Sequence, residues 1–249
     1  MAETTTTTDA KVTHSLWVRI CHWMLATVVL TLFVTGVFIL AVHPRLYWGE
    51  AGNDMMPALL EIPISNNHQP ELYEPAVTFE LANKPFSAAR NYPIFNQNGW
   101  ARSLHFLTAW ALVLVGLLYV GYGLITGHIR HSLVPKLKEL SPMTLWRDAS
   151  AHLRDQHVTS GPPYGYVQKT VYSLVVLVAL PLMLVTGISM SPAVTATFPF
   201  LLDIFGGYQS ARTLHFIAFA FLLIFFLVHI LMVGITGFGK QLRAMTWGK

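Results

Sequence analysis

The sequence predicts an all-α membrane protein, a four-transmembrane-helix bundle with both termini in the cytoplasm. Three observations predict it. Of 249 residues, 53% are hydrophobic and 11% charged, whereas a soluble domain carries about a quarter charged residues. The apolar residues gather into four runs, Leu16 to Val42, Leu104 to Thr126, Val171 to Met190 and Leu214 to Phe238, and Arg19 is the one formally charged side chain within them. The segments that join these runs alternate between basic and acidic.

Each run is long enough to cross a hydrocarbon core of ~30 Å, which takes ~20 helical residues. With no water to satisfy backbone groups, such runs must be helical. None has the polar stripe of a surface helix, which excludes a large soluble helical core. The first run exceeds the length of a signal-peptide core, and no small-residue cleavage site follows it, so it reads as a span. Residues 1–14, with the tract Thr4 to Thr8, read as a disordered tail. Residues 15–249 form one transmembrane domain, with an outer insertion over 43–100 and an inner loop over 128–167.

Basic residues set the orientation. Lys11 and Arg19 flank the first run. Arg130, Lys136, Lys138, Arg147, Arg154 and Lys169 lie between the second and third, and Lys240, Arg243 and Lys249 follow the fourth. The insertion is instead acidic, with Glu50, Asp54, Glu61, Glu71, Glu74 and Glu80 against Arg45, Lys84 and Arg90. The positive-inside rule places the basic segments in the cytoplasm and the insertion outside. The net charge of +4 is therefore a topological signal and does not point to nucleic acid.

The insertion is rich in Pro and Asn yet carries Tyr47, Trp48, Tyr73, Phe79, Phe86, Tyr92 and Phe95. Two readings stand side by side: a folded cap that meets a partner outside, and a loop that packs only on its own helix ends. Ser141-Pro142 is a capping residue followed by proline at the first helical position, predicting a helix through about Arg154 along the membrane surface. Pro181 predicts a kink in the third span.

An internal repeat organises the chain. Ala101-Arg102-Ser103-Leu104-His105-Phe106 matches Ala211-Arg212-Thr213-Leu214-His215-Phe216, and Ile125-Thr126-Gly127 matches Ile235-Thr236-Gly237. Thr-Gly recurs as Thr35-Gly36 in span one and Thr186-Gly187 in span three. A two-helix unit reads as duplicated.

Ligating side chains inside a membrane are costly and functional by default. Four histidines fall within the spans: His22, His105, His215 and His229. By depth they form two pairs, His105 with His215 near the outer face and His22 with His229 near the inner one. His215 and His229 are 14 residues apart. In a helix that is just under four turns, so both rings face one side, about 21 Å apart along the axis. Two imidazoles from facing helices can occupy both axial positions of a haem iron, giving a centre that carries electrons and leaves no open position. A single buried histidine is more often a satisfied core residue; four matched in depth and facing favour two haem b groups. A zinc or di-iron centre is disfavoured, because the spans lack carboxylates and His215 and His229 are too far apart to share a metal. Cys21 stands alone, and no C-x-x-C-H motif is present, so any haem is held without covalent attachment.

Arg102 and Arg212 precede the outer histidines by one turn, and Arg19 precedes His22. Arginine pairs well with carboxylates such as haem propionates. For Arg19 a positive-inside anchor is an equal reading. Gly36, Gly127, Gly187 and Gly237 would let a flat macrocycle approach the backbone, or would serve close helix packing. Tyr119, at the repeat position of His229, reads as a packing or lipid-facing aromatic. His128 and His131 form H-x-x-H at the inner edge, with His152 and His157 further on; the spacing implies no metal geometry, and a place for His128 or His131 beside a quinone head group is the other reading.

These residues resemble the prokaryotic cytochrome b561-like family, which includes the b-type subunits of membrane-bound nickel-iron hydrogenases and formate dehydrogenases and cytochromes encoded with molybdopterin oxidoreductases. The resemblance runs from about Val12 to Phe238 and is most specific in the two histidines of span four. It implies that His22 and His229 hold the inner haem iron and His105 and His215 the outer one. It implies electron transfer between the quinone pool and a periplasmic molybdopterin oxidoreductase, hydrogenase or formate dehydrogenase subunit, in the lipid of a bacterial inner membrane. The long insertion departs from the minimal family pattern. A self-contained oxidoreductase acting on superoxide or quinone is the alternative. A transporter or haem sensor, which predicts an open iron site or no haem, ranks third.

Overall fold

The computed structural model describes residues 15–53, 56–64, 99–136, 140–153 and 165–248. The threonine tract, most of the outer insertion and the inner loop around His157 lie outside the described residues.

Four helices are long and apolar enough to cross a membrane: span one, Leu16–Val42; span two, Gly99–Ile125; span three, Tyr166–Ser189; and span four, Tyr208–Ile235. Spans two, three and four begin a turn or more before their charge-free runs, because Arg102, Lys169 and Arg212 sit inside the helical first turns. Little of each apolar stretch is buried in the protein. Leu107, Leu117, Ile125, Ile224 and Ile235 are all more than half exposed, as lipid-facing side chains must be.

Span one packs along span two, and span three along span four, so the predicted two-helix unit is a physical pair. Burial follows the repeat. Ala101 and Ala211 are both fully enclosed, and Leu112 and Leu222 are both core residues. The pairs join around Phe33, which meets Phe219 and Phe226 edge-on at 5.5 and 5.7 Å. Val175, Ala179 and Leu222 complete this cluster. It fills the middle of the bundle, between the two histidine levels.

Hydroxyls inside the spans pair with their own backbone. Thr27, Thr31 and Thr35 each donate to the carbonyl four residues earlier, at 3.0, 2.9 and 2.8 Å. This back-bonding is how threonine is accommodated in an apolar helix. Pro181 is accommodated differently. Proline has no N–H and crowds the carbonyl four residues before it. The turn just upstream, Val175–Ala179, widens to a π-helix, and the Leu180 N–H reaches back to the Val175 carbonyl. Where the sequence predicts a kink, the structure has a π-bulge, one of the recognised causes of helix deviation.

On the face away from the termini, Arg45–Leu46 pairs with Leu60–Glu61 in a short antiparallel ladder, and Arg45 and Glu61 form an ion pair of 2.5 Å. This hairpin lies on the start of span four. The Gly49 carbonyl accepts from the Gln209 and Ser210 N–H groups, and the Gly49 N–H donates to Ser210 Oγ at 2.7 Å. Thr213 donates to the Tyr47 carbonyl at 2.6 Å. Two short helices, Pro192–Thr195 and Phe200–Phe205, link spans three and four and end at Gly206 and Gly207, both with positive φ. The described parts of the insertion's start, residues 43–53 and 56–64, are therefore folded, and the hairpin packs on the start of span four.

On the opposite face, Pro142–Leu153 is helical, and Ser141 Oγ accepts from the Thr144 N–H as its cap. A helix not foreseen in the sequence, Phe238–Thr246, follows span four and folds back on span one. Arg19 donates to the Thr246 carbonyl at 2.9 Å and Trp23 Nε1 to the Met245 carbonyl at 3.0 Å. Both satisfy orphan carbonyls at a helix C-terminus, where a cation is also favoured by the helix dipole.

Gly207 and Gly206 provide a matched test of the outer clamp. A Cβ on Gly207 would sit 2.5 Å from the Gly49 carbonyl carbon, whereas one on Gly206 meets nothing within 4 Å. Gly206→Ala is expected to cost about 1–2 kcal/mol, the strain of a left-handed alanine. Gly207→Ala should cost on the order of 3 kcal/mol or more, because strain and a backbone clash add. Thermal melts of the detergent-solubilised variants, followed by circular dichroism, check the order; equal melts would contradict the packing described.

Candidate functional site

The four intramembrane histidines meet as two pairs. His105 of span two faces His215 of span four with ring centroids 6.4 Å apart. His22 of span one faces His229 of span four at 6.3 Å. Span four is one uninterrupted helix over Tyr208–Ile235, so the spacing of its two histidines translates directly into two levels about 21 Å apart along its axis. Among the described residues no group of three or more His, Cys, Asp or Glu side chains gathers to hold a bare metal ion.

The separation suits a shared iron. An imidazole nitrogen binds a first-row metal at about 2.0–2.1 Å, so two rings on one metal have centroids on the order of 6.4 Å apart. Both pairs match this spacing. Opposed single histidines with nothing else in reach fit a metal whose other four positions belong to a macrocycle, as in haem.

The outer pair is built twice from one local pattern. Thr35 Oγ1 lies 2.9 Å from His105 Nδ1, and Thr186 Oγ1 lies 2.9 Å from His215 Nδ1. The glycine that follows each threonine lies against the same ring. A Cβ on Gly36 would be 3.6 Å from His105 Cε1, and one on Gly187 3.4 Å from His215 Cε1. So the Thr-Gly of an odd-numbered span receives the histidine of the next span. The repeat visible in the even spans as an Ala-Arg-x-Leu-His-Phe match extends to the odd spans through this contact.

The four predicted glycines therefore divide into two kinds. Gly36 and Gly187 are helical and touch ligand-type rings. Gly127 and Gly237 stand at the ends of spans two and four with φ of 71° and 100°. There the chain leaves the helix through a left-handed residue, as helix C-termini commonly do. Their threonines repeat as well, Thr126 donating to the Tyr122 carbonyl and Thr236 to the Met232 carbonyl.

The arginines also separate. Arg212 reaches the His43 carbonyl at the end of span one and Gln209 Oε1, so it ties spans one and four together at the outer face. Arg102 is exposed, with its guanidinium 5.6 Å from the Phe106 ring. Arg19 holds the C-terminal helix through one nitrogen, while its buried Nε lacks a hydrogen-bond acceptor among the described residues. That orphaned donor stands one turn from His22 and suits an anionic group at the inner site.

Tyr119 packs, as its sequence position suggested. Its ring lies 5.1 Å from Trp17 and 6.4 Å from His128. Burial pushes the His128 imidazole below its ordinary pKa, which favours the neutral ring. Beyond Tyr119 the cleft between spans two and three is occupied by the chain itself. Ile129 and Leu133 are buried there, and Ser173 Oγ donates to the Leu133 carbonyl. Sequence reasoning missed Thr35 and Thr186 as part of the site. Their signal was present, since each precedes a glycine already singled out.

The model of the family described as prokaryotic cytochrome b561 matches residues 13–248. A protein of Azospira oryzae described as "Putative protein-methionine-sulfoxide reductase subunit YedZ1" is 24% identical over 224 residues, covering 89% of this chain and 90% of its own. No solved structure matches the chain. The chain belongs to the prokaryotic cytochrome b561 family, and is a multi-pass membrane cytochrome that binds haem b and takes part in electron transfer.

The two kinds of glycine should respond differently to substitution. Gly36→Leu and Gly187→Leu push side-chain atoms past a Cβ already in contact with a histidine ring, and are expected to lower the haem b content of the purified protein. Gly127→Asn and Gly237→Asn keep a residue that tolerates the left-handed region and should leave it unchanged. A haemochrome assay reads the difference. Equal content in all four variants would remove the proposed distinction.

Proposed function

We propose that this cytochrome b561 holds two haem b groups, the outer on His105 and His215 and the inner on His22 and His229. In this reading it carries electrons between quinone at the face bearing the termini and a redox enzyme docked on the opposite face. The observation that carries the proposal is the pair of facing imidazoles repeated at two levels of one unbroken helix. His105 with His215 and His22 with His229 would hold the haems, which would supply one-electron carriers.

The protein's own residues do the rest. The histidines fix each centre on the bundle axis. Phe33, Phe219 and Phe226 make the layer between the levels apolar. Arg19 offers its free donor to an inner propionate. Basic residues gather on the terminal face, Arg130, Lys136, Arg147, Lys169, Lys240 and Arg243 among them, which supports a cytoplasmic assignment for that face. The outer enzyme then lies in the periplasm. The relative named as a subunit of a protein-methionine-sulfoxide reductase supports a partner of the oxidoreductase class. A molybdopterin oxidoreductase, hydrogenase or formate dehydrogenase subunit is the range that the family resemblance suggests. Trp48, Leu59, Trp100 and Phe200 are exposed toward the outer face and offer apolar anchors for docking.

Single alanine changes at His22, His105, His215 and His229 test the ligand scheme. Pyridine haemochrome counting is expected to fall from two haems to one in each variant. The dithionite-reduced spectra should lose the same component in His22→Ala and His229→Ala, and the other in His105→Ala and His215→Ala. Two haems retained in any of the four, or a five-coordinate iron in the wild type, would overturn the assignment.

A further inference from the structure

The outer pair has partners of a kind that its ligand role does not by itself require. Thr35 and Thr186 are among the largest side chains fully enclosed in the molecule, each 0% exposed. Thr35 Oγ1 lies 2.8 Å from the Thr31 carbonyl, and Thr186 Oγ1 lies 2.6 Å from the Leu182 carbonyl. A carbonyl only accepts, so each hydroxyl proton is committed there. The second contact of each hydroxyl, 2.9 Å from a histidine Nδ1, can then only be one in which the oxygen accepts. Nδ1 must carry the hydrogen. Nε2 is left as the lone-pair nitrogen of both rings.

The arrangement is made twice through different connections. Thr35 and His105 are 70 residues apart, whereas Thr186 and His215 are 29 apart. The same contact distance results, so it belongs to the duplicated helix pair and not to the loops. Back-bonding alone does not account for it. Thr27 and Thr31 also back-bond, yet neither is fully enclosed and neither meets a histidine. The inner pair has different surroundings: His229 stacks on Phe225 at 5.9 Å, one turn earlier in its own helix.

Resting on the assignment of His105 and His215 as ligands, we propose that Thr35 and Thr186 are positioning residues that hold both outer histidines as Nδ1–H tautomers and set the potential of the outer haem. A ligating histidine that donates its other N–H to an acceptor is fixed in orientation and made more basic. More basic axial ligands favour the oxidised iron. The two threonines therefore lower the outer potential relative to unsupported imidazoles, and do so in duplicate on opposite sides of one centre.

The test uses the full-length protein purified with its haems. Thr35→Val, Thr186→Val, Thr35→Ser and Thr186→Ser are compared by optical redox titration, low-temperature EPR and haemochrome counting. The outer haem is identified as the component lost in His105→Ala. Each valine variant is expected to raise the outer midpoint potential and shift the EPR signal of that haem, leaving the inner haem as in the wild type. Each serine variant should restore wild-type values. Loss of the outer haem in a valine variant but not in its serine counterpart supports the same conclusion. An unchanged outer potential and EPR signal in both valine variants overturns it, as does a serine variant that behaves like valine. If instead His105→Ala and His215→Ala keep both haems, the ligand scheme itself has failed, and that result is separate from any threonine effect.

Discussion

Every polar group inside this bundle must find its partner within the protein, because hydrocarbon supplies none. That constraint accounts for most of what is specific about the interior. Thr27, Thr31 and Thr35 return their protons to the backbone. The widened turn before Pro181 re-pairs the Val175 carbonyl. The His43 carbonyl at the end of span one is taken up by Arg212, the Tyr47 carbonyl of the outer loop by Thr213, and those of the C-terminal helix by Arg19 and Trp23. Four histidines in such surroundings are costly unless they serve a bound group. The two facing pairs are the places proposed for that group.

Span four acts as the ruler. It alone carries a histidine at both levels, and it runs without a break between them. Span two supplies the outer partner and span one the inner one. The centre between the levels is lined by Phe33, Phe219, Phe226 and Leu222, so apolar side chains separate the two levels. The outer hairpin and the C-terminal helix fasten spans one and four together at opposite ends. Those are the two helices that meet across the inner pair, and span four also contributes to the outer one.

The duplicated unit is alike at one histidine level and different at the other. At the outer level both copies place a Thr-Gly against a histidine, and the two histidines face each other. At the inner level the copies diverge. Span four has His229, whereas the matching position in span two is Tyr119, packed on Trp17. Ile129 and Leu133 then fill the space between spans two and three. The two halves are close to symmetric at the outer histidine level and asymmetric at the inner one, where span one contributes His22 and span four His229 while span two has Tyr119.

Much of this was legible from composition and spacing. Long apolar runs of about 20 residues determined the four spans, because within lipid a run of that length satisfies its own backbone as a helix. The 14-residue interval in span four determined that its histidines share a face, because helical periodicity leaves no freedom there. The repeat around His105 and His215 determined their equal depth. Other features needed the folded chain. That Gly36 and Gly187 touch rings while Gly127 and Gly237 reverse the chain depends on φ and on neighbours distant in sequence, and the shared Thr-Gly dipeptide hides the difference. The C-terminal helix was read only as charge, because Lys240 and Arg243 carry a topological meaning that masked its fold. The contacts of Thr35 with His105 and Thr186 with His215 join residues 70 and 29 apart. Only tertiary packing decides such contacts, because a threonine in an apolar helix satisfies its own proton locally and leaves no mark in the sequence of what its oxygen accepts.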